Sequence, residues 1–261
     1  MEKVFIPQDA KTIVSTSSKG DQSKWLVGGK WIKENTRGYE NMAEYVASLI
    51  LQSSTLPQES YISYTPCLIE KADGTVKEGC YSLDFRGPLQ EVTLERLFEA
   101  HFETTDEVLN NTRYSTVDKF NAIMEKVHHF TGLDVTYEMA QMLAFDAFIL
   151  NEDRHTNNIL FLFNPKTEGW QLAPIFDHGL SLLSDLKDYP MDKSISVLKR
   201  KLKAKPFNSS FTKQLALFKG PFIQSDLLLT KLEESPYDIG RTKDVVLSQL
   251  KDVRLQQLII N

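Results

Sequence analysis

Asn151-Glu152-Asp153-Arg154-His155-Thr156-Asn157-Asn158, with Asp177-His178-Gly179 beginning nineteen residues beyond Asn158, is the stretch on which the reading of this chain turns. It offers a carboxylate at Asp153, a carboxamide at Asn158 and a second carboxylate at Asp177. Phosphoryl transfer from a nucleotide asks for such a set. One acidic group orients the attacking hydroxyl, while an amide oxygen and another carboxylate hold the magnesium that bridges the phosphates. Between them, Ile159-Leu160-Phe161-Leu162-Phe163 is an apolar run, Asn164 to Gly169 is rich in turn formers, and Trp170 to Phe176 runs back. That is the pattern of a β-hairpin, which would return Asp177 close to Asn158. Upstream, Val135 to Leu150 is almost continuously apolar and long enough to be a buried helix rather than a strand. The motif therefore sits on a loop leaving a rigid element. Asn and Asp also serve simply to cap and turn the chain. The hairpin, with Asp177-x-Gly179 at its far end, tips the reading toward chemistry.

The first part of the chain supplies the nucleotide side. Ser15 to Lys24 is small and polar, expected as a flexible loop whose backbone N–H groups and hydroxyls cradle phosphates. The Gly-x-x-x-x-Gly-Lys-Ser/Thr spacing of a Walker A loop is absent. Lys24-Trp25-Leu26-Val27 and Lys30-Trp31-Ile32-Lys33 flank Gly28-Gly29, a two-residue hairpin signal. Lys33 is the first choice for a lysine gripping phosphates. A buried lysine needs a carboxylate partner, and Glu44, on a helix expected from near Gly38 to Leu51, is the first candidate. Glu40, one turn earlier, is the alternative. Lys30, on the opposite face of the same strand, competes with Lys33. Two further strands, Tyr61 to Glu70 and Val76 to Phe85, are expected around a turn at Ala72-Asp73-Gly74, and Gly87-Pro88 marks a break before a helix-rich region.

The pattern Asn151-x-Asp153-x-His155-x-x-Asn158 resembles the HipA-type serine/threonine kinase family, as does Gly20-x-Gln22-x-Lys24. Asp153-Arg154-His155 followed by Asn158 is also similar to the loop of phosphoinositide-type kinases, so the motif leaves the acceptor open. The resemblance implies an α+β, two-lobed, protein-kinase-like fold. Its small lobe, residues 1–86, would carry an antiparallel sheet and the nucleotide loop; the mainly helical large lobe, residues 87–261, would carry the catalytic loop and the hairpin. The likeness is to compact members, since toxin-branch members carry a further N-terminal subdomain.

By the same resemblance the cofactors are ATP and magnesium. Asp153 is the catalytic base, Asn158 and Asp177 hold the metal, and His155 braces the loop through hydrogen bonds. Ser17, Ser18, Gly20, Gln22 and Lys24 line the nucleotide loop, with Lys33 and Glu44 beside it. Cys80, Tyr81, Ser82 and Leu83 would form the hinge facing adenine. Ser17, with Ser15 and Ser18 nearby, matches a site of autophosphorylation. A protein hydroxyl is the expected acceptor and a small antitoxin-like regulator the expected partner. A small-molecule or lipid kinase is the runner-up. An ATP-binding pseudokinase ranks third, because Asp153, Asn158 and Asp177 are all present.

The remaining features bound this reading. At 261 residues and 41% hydrophobic, the chain can bury a sizeable core. A net charge of −5 argues against a dedicated nucleic-acid surface. No run suggests a membrane span or a secretory leader, and the expected compartment is the cytoplasm. Cys67 and Cys80 are expected on neighbouring strands as buried thiols, with a disulfide as the alternative. His128-His129 is expected in a helix, in surface or capping roles. Lys199-Arg200-Lys201-Leu202-Lys203-Ala204-Lys205 is expected as a solvated helix face, with contact to RNA, acidic protein or phosphate as the alternative, and Asp244 to Ile259 as an amphipathic terminal helix.

Overall fold

The computed structural model describes residues 1–17 and 20–260, with 13–17, 20 and 21 described through their backbone alone. The chain divides into two compact units, one of Met1–Phe85, Phe176–Lys201 and Pro221–Asn261, the other of Arg86–Ile175 and Leu202–Gly220. Among the described residues no helix is long and apolar enough to cross a membrane.

The first unit is built on β1 (Glu2–Ile6), β2 (Thr12–Ser17), β3 (Gly20–Val27), β4 (Lys30–Glu34), the helix α1 (Glu40–Gln52), β5 (Thr65–Lys71) and β6 (Val76–Leu83). The strands form one sheet in the order β1-β5-β6-β4-β3-β2. All pairs are antiparallel except β1 with β5, which run parallel from Glu2↔Cys67 to Ile6↔Lys71. Gly28 and Gly29 join β3 to β4 with φ of 57° and 75°, so both central positions need the left-handed conformation that glycine adopts without strain.

The period of two along each strand sorts the side chains. Trp25, Ile32, Cys67 and Ile69 cluster with Ile6, while Cys80 packs with Ile62 and Tyr64 in a separate cluster. Cys67 pairs in register with Gly79 and Cys80 with Pro66, so the two cysteines are offset by one residue and sit in different clusters, and both are buried and free. The row Lys24↔Lys33↔Cys80 runs across β3, β4 and β6. Helix α1 packs against β5 and β6. Its first residue, Glu40, accepts hydrogen bonds from the backbone N–H groups of Thr36, Arg37 and Gly38 at 2.9, 2.6 and 2.8 Å. These contacts anchor the helix entry, and the acidic first turn complements the helix dipole.

The expected loop over Ser15 to Lys24 is a correction. Ser15 to Ser17 belong to β2 and Gly20 to Lys24 to β3, paired from Thr12↔Trp25 to Ser17↔Gly20; Ser18 lies outside the described residues. Serine and threonine give no hydrophobic alternation to read, yet a ladder is made by backbone groups and accepts them.

Later stretches complete this unit. Helices Ser225–Glu233 and Gly240–Leu250 pack on α1, and the short strands Ile223–Gln224 and Ile259–Ile260 pair in parallel. The expected terminal helix over 244–259 begins earlier and stops at Leu250. Asp252 then accepts a hydrogen bond from the Arg254 N–H at 3.1 Å and opens a 3-10 segment, Val253–Leu258. Local side-chain to backbone bonding by Asp outcompetes helix continuation here. The basic run is likewise no long helix: helix Ile195–Lys199 ends as the run begins.

The second unit contains β7 (Gln90–Thr93), α2 (Leu94–Glu99), α3 (Asp106–Leu109), α4 (Thr116–Thr131), α5 (Thr136–Ile149), β8 (Leu160–Asn164) and β9 (Gly169–Leu172). Helix α4 starts in a capping box between Ser115 and Asp118 and ends at the left-handed Gly132, with His128 and His129 in its last turn. Helix α5 is buried over most of its length. The expected hairpin is present as β8 and β9, paired from Phe161↔Leu172 to Asn164↔Gly169, and β7 adds a third strand that the sequence reading passed over. The returning strand ends at Leu172 rather than Phe176. Pro174 lacks the N–H that would extend the ladder.

Candidate active site

In the first unit, strand alternation and helix phase bring four charged groups together. Lys33 Nζ lies 2.6 Å from Glu44 Oε1 and 2.7 Å from Asp177 Oδ1, and 3.3 Å from the Tyr64 hydroxyl. Lys24 Nζ, one strand away in the same row, lies 3.2 Å from Asp177 Oδ2. The second oxygen of Glu44 accepts the His178 N–H at 2.8 Å. Lys33 is 6% exposed and Glu44 1%. Burial works against the ammonium charge, but Asp177 and Glu44 outweigh it and raise the Lys33 pKa well above that of an ordinary lysine. Burial also opposes the Asp177 charge, yet Lys24 and Lys33 hold this carboxyl well below the usual range. Burial pushes the Glu44 carboxyl up against the pull of Lys33, and the nearby Asp177 charge adds to the rise.

Glu44 is therefore the carboxylate on Lys33, and Glu40 is committed to backbone groups at the helix entry. Lys30 turns the other way, 3.3 Å from Glu2 Oε1 and over the Tyr81 ring. If Lys33 and Glu44 act as one device, their effects on nucleotide binding are not additive. Lys33→Met and Glu44→Gln each weaken ATP binding, and the double variant loses markedly less than the sum of the two. Calorimetric titration of the four proteins checks this, and additive losses would rule it out.

Asp177 carries a φ of 61°. Asp tolerates the left-handed region better than most side chains, and such strain recurs at functional sites. Gly179 needs no such freedom: its φ is ordinary, and a Cβ there would meet Glu40 Cβ at 3.4 Å, normal contact. The turn is made by Asp177 itself, with Leu182 and Leu183 also at positive φ. The close approach occurs elsewhere, at Gly38, where an added Cβ would lie 2.0 Å from the Ser184 carbonyl oxygen.

The remaining nucleotide-side residues fall on the same sheet. Gln22 Nε2 donates to the Glu34 carbonyl at 3.0 Å. Cys80 and Ser82 are buried, and Leu83, at the end of β6, is 69% exposed. The Tyr81 hydroxyl donates to Glu2 Oε2 at 2.9 Å, and burial pushes the Cys80 thiol pKa well up. Phe85 and Phe176 pack against the cluster of Ile62, Tyr64 and Cys80.

In the second unit the Asn151–Asn158 loop is built on a buried ion pair. Leu150, at φ 59°, ends α5 and turns the chain. Asp146, one turn back in the helix, receives Arg154 Nε at 2.8 Å and Nη2 at 3.1 Å on its two oxygens, and Asn151 Nδ2 at 2.8 Å. Both ion-pair partners are essentially inaccessible. Arg154 Nη1 also donates to the Asn158 carbonyl at 2.8 Å, and the Asp153 N–H donates to Asn151 Oδ1 at 3.1 Å. Asp153, 5% exposed, is thus presented on a braced loop. Its Oδ2 lies 3.8 Å from His155 Nε2 and its Oδ1 lies 3.5 Å from Lys205 Nζ. The His155 backbone spans the turn, donating to the Asp153 carbonyl and accepting from the Asn158 N–H, both at 2.8 Å.

Asn158 Nδ2 donates to the Asp153 carbonyl at 2.8 Å. This sets the amide so that Oδ1 is the atom at its other end, an oxygen of the kind a hard divalent cation takes. In the first unit, the Asp177 carboxylate is likewise an oxygen donor of the type magnesium takes. Among the described residues no group of three or more His, Cys, Asp or Glu gathers as a metal cage.

Sequence reasoning gave no site role to Tyr64 or Asp146, quoted Arg154 only as part of the loop motif, and placed Lys205 only in a basic run. For Asp146 a signal was there: a single carboxylate inside an otherwise apolar helix end calls for a cationic partner.

The family model described as phosphatidylinositol 3- and 4-kinase matches residues 89–260. The chain belongs to this family. It is the second of the two likenesses that the Asp153–Asn158 loop carried. Among solved structures, the Helicobacter pylori proinflammatory kinase CtkA matches at a TM-score of 0.60 and 16% identity, over 97% of this chain and 95% of that one. HipA of Shewanella oneidensis, in its complex with HipB and operator DNA, matches at a TM-score of 0.47 and 13% identity, over 96% and 66%. No curated protein matches. The fold is kinase-like, and the chain is a phosphotransferase of this family.

Proposed function

We propose that this phosphatidylinositol 3- and 4-kinase family member transfers the ATP γ-phosphoryl group to a serine or threonine hydroxyl of a protein. The observation that carries the reading is Lys33 held by both Glu44 and Asp177, in a chain whose second unit presents Asp153 on a braced loop. Asp153 accepts or orients the hydroxyl proton. Lys33 and Lys24 offset phosphate charge, with Gly20 and Gln22 alongside on β3 and the Cys80–Leu83 backbone offered to the adenine. Asn158 and Asp177 are the oxygen donors for magnesium, which when bound screens the phosphate charge. Positioning and electrostatic stabilisation suffice, with no covalent enzyme intermediate.

The protein acceptor rests on the HipA-type pattern around Asp153 and at Gly20-x-Gln22-x-Lys24. A phosphoinositide acceptor is the second reading, favoured by the family match. Incubation with labelled ATP and magnesium decides between them, using mixed protein substrates in one arm, phosphoinositide vesicles in another and aminoglycosides in a third. Label in protein alone supports the proposal; label in lipid alone moves the assignment to the second reading.

Autophosphorylation belongs to the same reading. Phosphate on Ser15, Ser17 or Ser18 adds about 1.5–2 negative charges to a segment assigned to ATP's own phosphates, so nucleotide binding falls. Mass spectrometry after incubation with magnesium and ATP is expected to find it in the active protein and not in Asp153→Asn. Unmodified serines in the active protein would remove this regulation and leave the kinase assignment standing.

A further inference from the structure

The basic run at 199–205 is expected from sequence to be a solvated face, but its last lysine is held against the catalytic loop. Lys205 Nζ lies 3.5 Å from Asp153 Oδ1. The backbone on either side of Lys205 is pinned. Glu152, the residue before Asp153, accepts the Lys203 N–H at 3.0 Å. Gln214, fully buried, donates through Nε2 to the Lys205 carbonyl at 2.9 Å and accepts the Phe207 N–H through Oε1 at 3.0 Å. Phe207 is buried edge-on to Phe120, with ring centroids 5.3 Å apart. An ordinary surface ion pair has no such support, and its geometry matters little. Here a buried glutamine and a buried carboxylate hold one stretch of backbone so that a single ammonium meets the base.

We propose that Lys205 is a catalytic residue whose ammonium contacts the phosphoryl group in transfer. This rests on the reading of Asp153 given above. The acceptor oxygen forms a bond to the γ-phosphorus, the bond from that phosphorus to the β,γ-bridging oxygen breaks, ADP leaves, and the hydroxyl proton passes to Asp153. A hydroxyl oriented by Asp153 lies roughly 2.6–3.2 Å from its carboxylate, and the phosphorus about 3–3.5 Å further on. A flexible four-carbon stem with a point charge at its tip, fixed at its base, reaches that group by rotation. The ammonium that lies 3.5 Å from Asp153 faces the non-bridging oxygens during transfer, where charge is spread.

The test compares wild type, Lys205→Met, Lys205→Arg, Asp153→Asn and, as a surface control, Lys201→Met. ADP release with magnesium and ATP is expected to fall in kcat by roughly 10–10³-fold in Lys205→Met, with little change in KM for ATP. Lys205→Arg recovers part of the loss, and Lys201→Met matches wild type. Titration with ADP and magnesium, with and without aluminium fluoride as a mimic of the transferred group, supplies a readout apart from turnover. Lys205→Met weakens the fluoride complex at least about tenfold while ADP alone binds as in wild type. Undiminished kcat in Lys205→Met, or equal weakening of both complexes, overturns the proposal. Equal turnover in wild type and Asp153→Asn overturns the assignment of Asp153 itself, and Lys205 with it.

Discussion

Asp153→Asn lowers phosphoryl transfer by roughly 10²–10⁴-fold, the scale of a positioned acid–base group, while ATP affinity stays close to wild type. The substitution is nearly isosteric, and the loop that carries residue 153 is held by others. Its N–H is fixed by Asn151, its carbonyl by Asn158, and the whole turn by Arg154. The amide therefore occupies the carboxylate's place but cannot take a proton. Lys33, Glu44 and Asp177 are untouched, so binding is not the step that fails. Single-turnover assay with labelled ATP, together with titration of nucleotide binding, separates the two. A rate within a few-fold of wild type would falsify the assignment of Asp153 as base.

Arg154→Met destabilises the second unit by about 3–5 kcal/mol, because it leaves the Asp146 carboxylate buried without its partner. Asp146 sits in α5 among Phe145, Ala147, Phe148 and Ile149, all of them buried. At 1% exposure its carboxylate depends on the two-pronged guanidinium. Asp146→Leu leaves the complementary problem of a buried arginine. The double replacement by apolar residues is milder than the two singles combined, since both desolvation costs vanish together. It still lowers activity, because Arg154 also holds the Asn158 carbonyl and thereby the loop that presents Asp153. Urea unfolding of the four proteins, followed by turnover measurements on those that fold, tests both halves. Loss of less than about 0.5 kcal/mol in Arg154→Met, the range of a surface substitution, rules out a structural ion pair.

These two experiments also mark how far the residues alone could be read. The pairing of Lys33 with Glu44 was legible as the first choice, with Lys30 and Glu40 as open alternatives, and the phase of strand and helix in the folded unit decided it. The polar strands around Ser17 and Gly20 were not legible as strands, because backbone pairing leaves no trace in side chains that have no face to bury. The return of residues 176–201 and 221–261 to the first unit, and the six-stranded sheet with its parallel β1–β5 pair, depend on contacts between distant segments. Local pattern cannot specify those.

By itself, the sequence determined the elements whose signals are local: the buried helix before the motif, the β8–β9 hairpin, the Gly28-Gly29 turn, and the order Asp153, Asn158, Asp177. Periodicity, turn chemistry and spacing act within a few residues, so they survive in a linear reading. Tertiary structure alone decided which charges meet. Asp146 chooses Arg154 and Lys205 arrives at Asp153. Within the first unit, Lys24 joins Lys33 on Asp177. A buried charge is tolerated only beside its counter-charge, and that counter-charge is often supplied by a segment far away in sequence.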